Sequence, residues 1–508
     1  MTPALPLLMV LLPAIGSLLI LLLQGRTSEA SENAASAPLI SPRALATSIS
    51  TAVLGFVAMA ALDMDAARVS LPWFRFQNLD VDFELALRPT RILAVAFVAL
   101  LGVIASSATP RDARERPAQQ AAGLLLALAA TLAALLTGDL VVLLVSVEVA
   151  ILPLCFGLVS RRRADAATSA SVVLGSSLVG TAALFIAVLT ITNLPLAIGG
   201  SELALSASID ETRRAMVQQS TLGAWLVLAF AIAFLPRTML FPLHWGYTML
   251  QHRFTSGASI FVMLGGVVLA TGLFTELALS YGHDAQLWSS PGLVLAVLVV
   301  TALAMVGLAL SANLRESLRR RFAVAVLVPL HLVLPLLTIG TPQAFALALT
   351  GVVAIGLPAS SLLLAAFAFA ERQDPGRLRD LRATVTTMPR FVLLTIVAAL
   401  FCFAVPASAS WRFFGASFEV LAAHSLPLTI LAFAAIAAAL VSLVVAAGLM
   451  LRSGGEVAKR QHVDLQPSEC VRIVVPLLAA LVLAVFFDAV LEGQTQAFTA
   501  LRQAVTGR

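Results

Sequence analysis

Lysine is almost absent from this chain of 508 residues. Lys459 is the only lysine among 32 basic residues, and the rest are arginines. An arginine stays charged in proteins, whereas a desolvated lysine can release its proton. Nearly all basic groups of this chain are therefore fixed positive charges that cannot relay a proton.

Cysteine is scarce as well, and the three cysteines show no pattern of chemistry. Cys155, Cys402 and Cys470 are far apart and have neither disulfide nor metal-ligand spacing. The sequence also has no nucleotide-binding glycine loop and no haem-type histidine pair. These absences argue against redox chemistry in this chain. We expect no catalytic residue, no metal site and no cofactor in it.

Charged residues are few, at 12%, while hydrophobic residues reach 60% and the mean hydropathy is +0.97. A soluble core could not hide so much apolar surface, so the composition predicts a polytopic membrane protein. The first apolar run has no basic residue ahead of it and no cleavage site, and we expect it to be a retained span. Runs of about 20 apolar residues predict some fourteen transmembrane helices, at 5–23, 44–62, 90–108, 120–137, 139–159, 168–192, 222–250, 258–280, 291–312, 322–340, 343–370, 390–421, 425–451 and 472–490.

The predicted spans are helical because lipid offers backbone groups no other hydrogen-bond partner. The fold class is therefore an all-α polytopic membrane protein. One short stretch alternates instead, with Val81, Phe83 and Leu85 on one side and acidic residues between them. Alternation with period two is typical of a β-strand. We predict a hairpin outside the membrane at 68–88.

Positive charges are distributed unevenly between the loops. Most of the 32 basic residues lie in loops that follow odd-numbered spans, including the run at 161–163. The positive-inside rule places such loops in the cytoplasm. The sequence therefore predicts that both termini lie on the outer side of a bacterial inner membrane. The net charge of +5 reflects this orientation, and we expect no nucleic-acid partner.

Two arginines, Arg237 and Arg412, lie inside long apolar spans, the seventh and the twelfth. Each span also contains proline, at 236 and 242 in the seventh and at 406 in the twelfth. Interrupted helices at matching positions of two halves indicate inverted repeats with a transport path near mid-membrane. We predict two inverted five-helix repeats with broken helices 7 and 12. The predicted domains are 1–119 with helices 1–3 and the hairpin, 120–280 with helices 4–8, 291–451 with helices 9–13, and 452–508 with helix 14 and the tail.

An ionisable side chain inside the membrane costs about 2.5 to 3.5 kcal/mol or more without compensation, so it needs a partner. Glu148 is the only carboxylate well inside the fifth span. We predict that Glu148 pairs with Arg237 in the first repeat. In the second repeat, we predict a corresponding pair of Arg412 and Glu419, which are two helical turns apart. The structural alternative is that both arginines only bind carbonyl groups exposed at the proline breaks.

Three segments carry a resemblance to a known family. They are EVAILP at 148–153, FPLHW at 241–245 in the broken seventh helix, and HVDLQPSECVRIVVPLLAALVLAVFFDAV at 462–490. Together with the fourteen-span plan, they resemble the antiporter-like subunits of respiratory complex I and the related Mrp antiporters, with the M-type subunit of complex I the nearest in length. The resemblance implies a proton path along the middle of the membrane. Its implied groups are a glutamate on helix 5, lysines on helices 7 and 8, histidines on helices 10 and 11, and a lysine or glutamate on helix 12.

The chain departs from that implied path at several positions. Glu148 matches the glutamate, and Arg237 stands where the lysine of helix 7 is expected. His331 lies on helix 10 about two positions out of register. Apolar residues stand at the other implied positions, namely Val267 on helix 8, Ile355 on helix 11, and Phe413 or Phe414 on helix 12. The candidate site residues are Glu148, Arg237, His244, His331, Arg412 and Glu419.

Three functions remain open from the sequence. The first is a membrane-arm subunit of a complex I-type NADH:quinone oxidoreductase or related assembly, whose own proton path is impaired. The second is an active proton conduit in a complex I-like hydrogenase or an inorganic-carbon uptake pump. The third is a self-contained secondary transporter, which is disfavoured because nothing in the sequence indicates a solute pocket. The first two functions require other membrane subunits as partners.

Overall fold

The computed structural model describes residues 4–30, 41–64, 67–76, 79–109, 116–159, 164–197, 205–206, 208–216, 220–238, 240, 256–282, 290–372, 378–381, 384–452 and 463–506. These residues divide into two compact units. The first contains the described residues up to 238, with 256–282 and 497–506, and the second contains 240 and the described residues of 290–496. Each unit is mainly helical.

The first unit contains ten helices and a small sheet among its described residues. The helices are α1 (Leu5–Ala30), α2 (Pro42–Ala61), α3 (Ile92–Ser107), α4 (Pro117–Leu136), α5 (Leu140–Val159), α6 (Ala164–Ala197), α7 (Ile209–Met216), α8 (Ser220–Thr238), α9 (Ser256–Ile260) and α10 (Gly266–Tyr281). A π-helical turn, Phe261–Gly265, joins α9 to α10.

The second unit continues the helical chain. Its described helices are α11 (Pro291–Leu314), α12 (Leu318–Leu330), α13 (Val333–Ile339), α14 (Pro342–Arg372), α15 (Thr384–Thr387), α16 (Pro389–Phe403), α17 (Ala409–Leu451) and most of α18 (Pro467–Thr506). The last residues of α18 belong to the first unit.

The helical polytopic fold predicted from the sequence is confirmed. Among the described residues, nine helical segments are long and apolar enough to cross a membrane, and shorter apolar helices coincide with the remaining predicted spans. The number that cross the membrane stays a prediction, as does the inverted relation of the two repeats. Proline at the first turn and a serine N-cap begin several helices, as at Ser41 and Ser290, whose side chains accept from Ala44 N and Leu293 N.

Each unit is built around helices that are mainly apolar. In the first unit, α4 and the segment Gly257–Tyr281 are almost wholly buried. In the second unit, helices α12, α13 and α14 are almost wholly buried. A helix without a polar face belongs in the interior of a membrane protein or a large core. The peripheral helices, such as α1, α2 and α11, keep apolar side chains exposed for lipid.

The hairpin predicted at 68–88 is present in the first unit. Strands β1 (Arg68–Phe76) and β2 (Leu79–Ala86) pair antiparallel, with a register shift between Pro72 and Phe74. A two-residue strand, β3 (Leu205–Ser206), adds to β2 in parallel. The apolar side of β2 is buried at Val81 and Leu85. Its position on the outer side of the membrane stays a prediction.

The break predicted in span 12 is present. Helix α16 ends at Phe403 and α17 begins at Ala409, with Pro406 between them. In span 7, α8 ends at Thr238, and His244 with the rest of that predicted break lies outside the described residues. The structure also has a break that the sequence did not predict, at His331 and Leu332 between α12 and α13.

Candidate intramembrane charge site

Glu148 and Arg237 form an ion pair, as predicted from the sequence. Arg237 lies in the last turn of α8 and donates from Nη2 to Oε1 of Glu148 on α5. The side chains of Arg237 and Glu148 are 5% and 23% exposed. Helix α6 packs against both α5 and α8. Two ionised groups are thus held together in an apolar interior, where each is the other's counter-charge.

Helix α6 contributes a third polar group that the sequence analysis did not single out. The hydroxyl of Thr181 donates to Glu148 Oε1, lies 3.3 Å from Arg237 Nη2 and lies 2.9 Å from the carbonyl oxygen of Ser177. A hydroxyl has one hydrogen and can also accept. Thr181 therefore accepts from Arg237, while its single hydrogen is shared between two acceptors, Glu148 Oε1 and the carbonyl oxygen of Ser177.

Arg237 also binds the backbone of its own helix. Its Nη1 donates to the carbonyl oxygen of Ala233, one turn earlier in α8. The alternative interpretation of the arginine, as a group that binds carbonyls near a proline break, is therefore correct in part. The carbonyl bond and the ion pair use different nitrogens of the same guanidinium group.

A small cavity of about 40 Å³ lies beside the ion pair. Among the described residues that line it, Arg237 is the only charged one, and the others include Thr131, Val147, Phe261 and Gly265. Because a cavity of roughly 10–15 Å³ suffices for one water molecule when polar partners are present, this space can hold water against the guanidinium group. The π-helical turn forms one wall of it.

A second group of buried charges was missed by the sequence analysis, and we call it the Glu276 network. Glu276 on α10 accepts from Arg91 Nε at 2.6 Å and from Arg91 Nη2 at 2.9 Å. It also accepts from Arg88 Nη1 at 3.0 Å and from Thr90 Oγ1 at 2.7 Å. Arg88 pairs in addition with Asp210 of α7 at 3.3 Å. The network consists of Arg88, Thr90, Arg91, Asp210 and Glu276.

The Glu276 network connects the segment before α3 to three helices of the first unit. The side chains of Arg91 and Glu276 are 0% and 1% exposed. Arg91 also donates from Nη1 to the carbonyl oxygens of Leu135 and Thr137 at the end of α4. A lone carboxylate inside the apolar run 258–280 is the sequence signal that could have indicated this site. The network fixes the connection before α3 to α4, α7 and α10.

The predicted pair of Arg412 and Glu419 is wrong. Arg412 Nη1 instead donates to Asp488 Oδ2 on α18, at 2.7 Å. Seven residues of helix separate Arg412 from Glu419 by about 10 Å along the axis, and the carboxylate of α18 lies nearer. The side chains of Arg412 and Asp488 are exposed, and Glu419 is exposed as well. The second unit therefore has no counterpart of the buried Glu148–Arg237 pair at the predicted position.

The remaining candidate in the described chain is His331. It is fully buried at the end of α12, and its Nδ1 lies 2.7 Å from the carbonyl oxygen of Leu327. The apolar residues that replace implied relay groups are also buried, namely Val267, Ile355, Phe413 and Phe414. No titratable side chain stands at those positions.

The fold and the buried charges define a polytopic helical membrane protein that holds ionisable groups between its helices. No protein-family model matches the sequence, and no curated protein matches it. Solved structures do match it over nearly the whole chain. They include chains of respiratory complex I, of a membrane-bound sulfane sulfur reductase and of an Mrp complex, and this chain has the fold that they share.

Three of these structures illustrate the similarity. A chain of respiratory complex I from Thermus thermophilus with bound NADH has a TM-score of 0.80 at 20% identity, and the match covers 98% of this chain and 99% of that one. A chain of the membrane-bound sulfane sulfur reductase, an archaeal respiratory membrane complex, gives 0.76 at 18% identity, over 94% and 75%. A chain of the Mrp complex from Dietzia sp. DQ12-45-1b gives 0.73 at 15% identity, over 100% and 99%. Identities this low establish the fold, and function has to be argued from the site.

Proposed function

We propose that this chain is an antiporter-like membrane-arm subunit of a complex I-type NADH:quinone oxidoreductase or related assembly. Its partners are other membrane subunits, and its location is a bacterial inner membrane with both termini on the outer side. It supports the coupling of proton translocation while its own proton path is interrupted. The observation that carries this proposal is the ion pair of Glu148 with an arginine.

Arginine at position 237 makes this ion pair a poor proton relay. A guanidinium group does not release its proton in proteins. Glu148 is held by that fixed charge and by Thr181. Protonating Glu148 would leave Arg237 buried without a counter-charge, which is strongly unfavourable. The pair therefore favours a static arrangement over proton exchange.

Packing in the second unit supports the same conclusion. Phe413 on α17 is fully buried against Gly351 of α14, where an added Cβ would collide with the phenyl ring. Ile355, one turn along α14, is also fully buried. The hydroxyl of Ser410 donates to the carbonyl oxygen of Ala354, at 2.9 Å. Apolar contacts of this kind leave water without polar partners, and such regions stay dry.

A second function is favoured by two specific observations. The cavity beside Arg237 can hold water, and His331 is a buried titratable group at a helix break. Under this alternative the chain is an active proton-conducting subunit of a complex I-like hydrogenase or an inorganic-carbon uptake pump. Water would then replace the missing relay side chains.

Replacing Glu148 in the assembled complex distinguishes the two functions. For the proposed function, Glu148→Gln lowers the amount of assembled complex and leaves the protons moved per turnover unchanged. Glu419→Gln, which removes an exposed carboxylate, is the matched control and leaves both quantities unchanged. Normal assembly and turnover with a clear loss of proton translocation in Glu148→Gln would support the active conduit instead.

A further inference from the structure

We propose that helix α6 and helix α10 form a seat for Arg237 that fits a guanidinium group and not an ammonium group. We call Gly180, Thr181 and Gly266 the arginine seat, and we infer that they are positioning residues for the Glu148–Arg237 pair. The inference deepens the proposed function, on which it rests, because it explains how a fixed charge is kept at this site.

Gly180 provides the space in which the guanidinium group lies. A Cβ built at Gly180 would be 2.5 Å from Arg237 Nη1 and would also collide with the carbonyl oxygen of Ala233. That carbonyl belongs to the backbone of α8, so the collision can only be relieved by moving α6 and α8 apart. Gly175, on the same helix, has no atom within 4 Å of such a Cβ. The requirement for glycine is thus local to position 180.

Thr181 provides the polar side of the seat. Its hydroxyl lies 3.3 Å from Arg237 Nη2 and also donates to Glu148 Oε1. It therefore contacts both members of the ion pair from a third helix. Valine has nearly the same shape without the hydroxyl, whereas serine keeps the hydroxyl and loses a methyl group.

Gly266 closes the seat at the backbone of Arg237. A Cβ at Gly266 would lie 2.5 Å from the carbonyl oxygen of Arg237. The end of α8 is thus in close contact with a glycine of α10, while a glycine of α6 lies against the side chain of Arg237. Gly266 thus fixes the position of the Arg237 backbone, and Gly180 fixes the position of its guanidinium group.

Arg237 donates hydrogen bonds from two different nitrogens, and these bonds point in two directions. Nη1 donates to Ala233, and Nη2 donates to Glu148 and lies within reach of Thr181. A planar guanidinium group presents separate donors in a fixed fork, whereas an ammonium group is a single point. The three N–H donors of a lysine at position 237 would all start from one nitrogen, so they could not occupy the two separate nitrogen positions of the guanidinium group. The seat therefore selects the residue type that cannot release a proton.

Thermal unfolding of the full chain in lipid nanodiscs tests the seat through double-mutant cycles. We expect Arg237→Lys to lower the melting temperature in the parent chain. In the Thr181→Val background the same substitution should cause less than half of that loss, and Thr181→Ser should restore most of it. Gly180→Ala should weaken the preference for arginine in the same way. Gly175→Ala, at an exposed position of α6, and Thr190→Val, at a partly exposed one, are the controls and should act additively with Arg237→Lys.

Two results would overturn the inference. One is an Arg237→Lys variant as stable as the parent chain. The other is additivity of Thr181→Val with Arg237→Lys, equal to that of the controls. If Gly180→Ala does not fold, the Thr181 cycle still decides the question. The experiment measures no proton movement, so its failure leaves the proposed function standing, and an active proton path in the assembled complex would leave the seat standing.

Discussion

Replacing Glu276 by glutamine should strongly destabilise the first unit. The carboxylate accepts four hydrogen bonds, from both Arg91 and Arg88 and from Thr90. In Glu276→Gln the amide oxygen can still accept from one side, but the amide nitrogen then faces arginine donors. Two positive charges lose their common counter-charge, and one of them, Arg91, has a fully buried side chain.

The size of the effect follows from this geometry. Removing one partner of a buried ion pair costs about 3–5 kcal/mol, because the other charge is left uncompensated. Arg88 keeps a second partner in Asp210 at 3.3 Å, so we expect a loss in free energy of unfolding near the lower end, about 3 kcal/mol. That is a large share of the 5–15 kcal/mol by which domains are typically stable.

Thermal and denaturant unfolding of the full chain in lipid nanodiscs measures this loss. The double variant Glu276→Gln with Arg91→Met should be more stable than Glu276→Gln alone, because it removes the uncompensated buried charge. Arg68→Gln is the control. Arg68 pairs with Glu84 but its side chain is 61% exposed, and exposed pairs contribute only about 0–1 kcal/mol. A Glu276→Gln variant within about 0.5 kcal/mol of the parent, or a double variant less stable than the single, would refute the reasoning.

Three further predictions concern the ion pair, the topology and the dependence on pH. Glu148→Gln alone should destabilise the chain by about 3–5 kcal/mol, and the double variant with Arg237→Gln should be milder; a double variant that is worse would contradict the pairing. A cysteine at Arg162 should resist labelling from outside intact cells, and efficient labelling would reverse the topology. Burial raises the pKa of Asp139, in the turn before α5, to about 6. Because the folded state then binds this proton more tightly than the unfolded state, its contribution to stability grows as pH falls from about 6 towards 4. Asp139→Asn should flatten that part of the melting profile, and an unchanged profile would contradict the prediction.

The helices and the main ion pair could be predicted from the sequence because both follow from the cost of exposing polar groups to lipid. Apolar runs of sufficient length must become helices, and the runs near 291–312 and 343–370 coincide with α11 and α14. A buried charge needs a counter-charge, so Glu148 and Arg237 could be matched without a structure. Pro406 likewise indicated the break before α17.

The other contacts depend on how helices are arranged in space. Thr181 looked like any threonine within a helix, since its hydroxyl can bond a carbonyl of the preceding turn as it does at Ser177. The partner of Arg412 lies 76 residues away on another helix, which no spacing rule within one helix reveals. Arg88 and Arg91 stand at the edge of the predicted span 90–108, and nothing in their spacing indicates that their side chains turn inward to Glu276.

The π-helical turn before α10 makes this helix tolerant of a change in length at one place. A π turn is an α-helix that carries an extra residue. Deleting one residue within Phe261–Gly265 would restore a regular α-helix and rotate the preceding segment by about 100°. Gly266 and Glu276 lie after the turn and would keep their contacts with α8 and with the arginines. Among the described residues, the π turn itself and the short helix α9 would have to refit. Gly257 of α9 packs closely against the carbonyl of Ala105. Homologous chains that differ in length by one residue in this helix should therefore carry the insertion or deletion at 261–265.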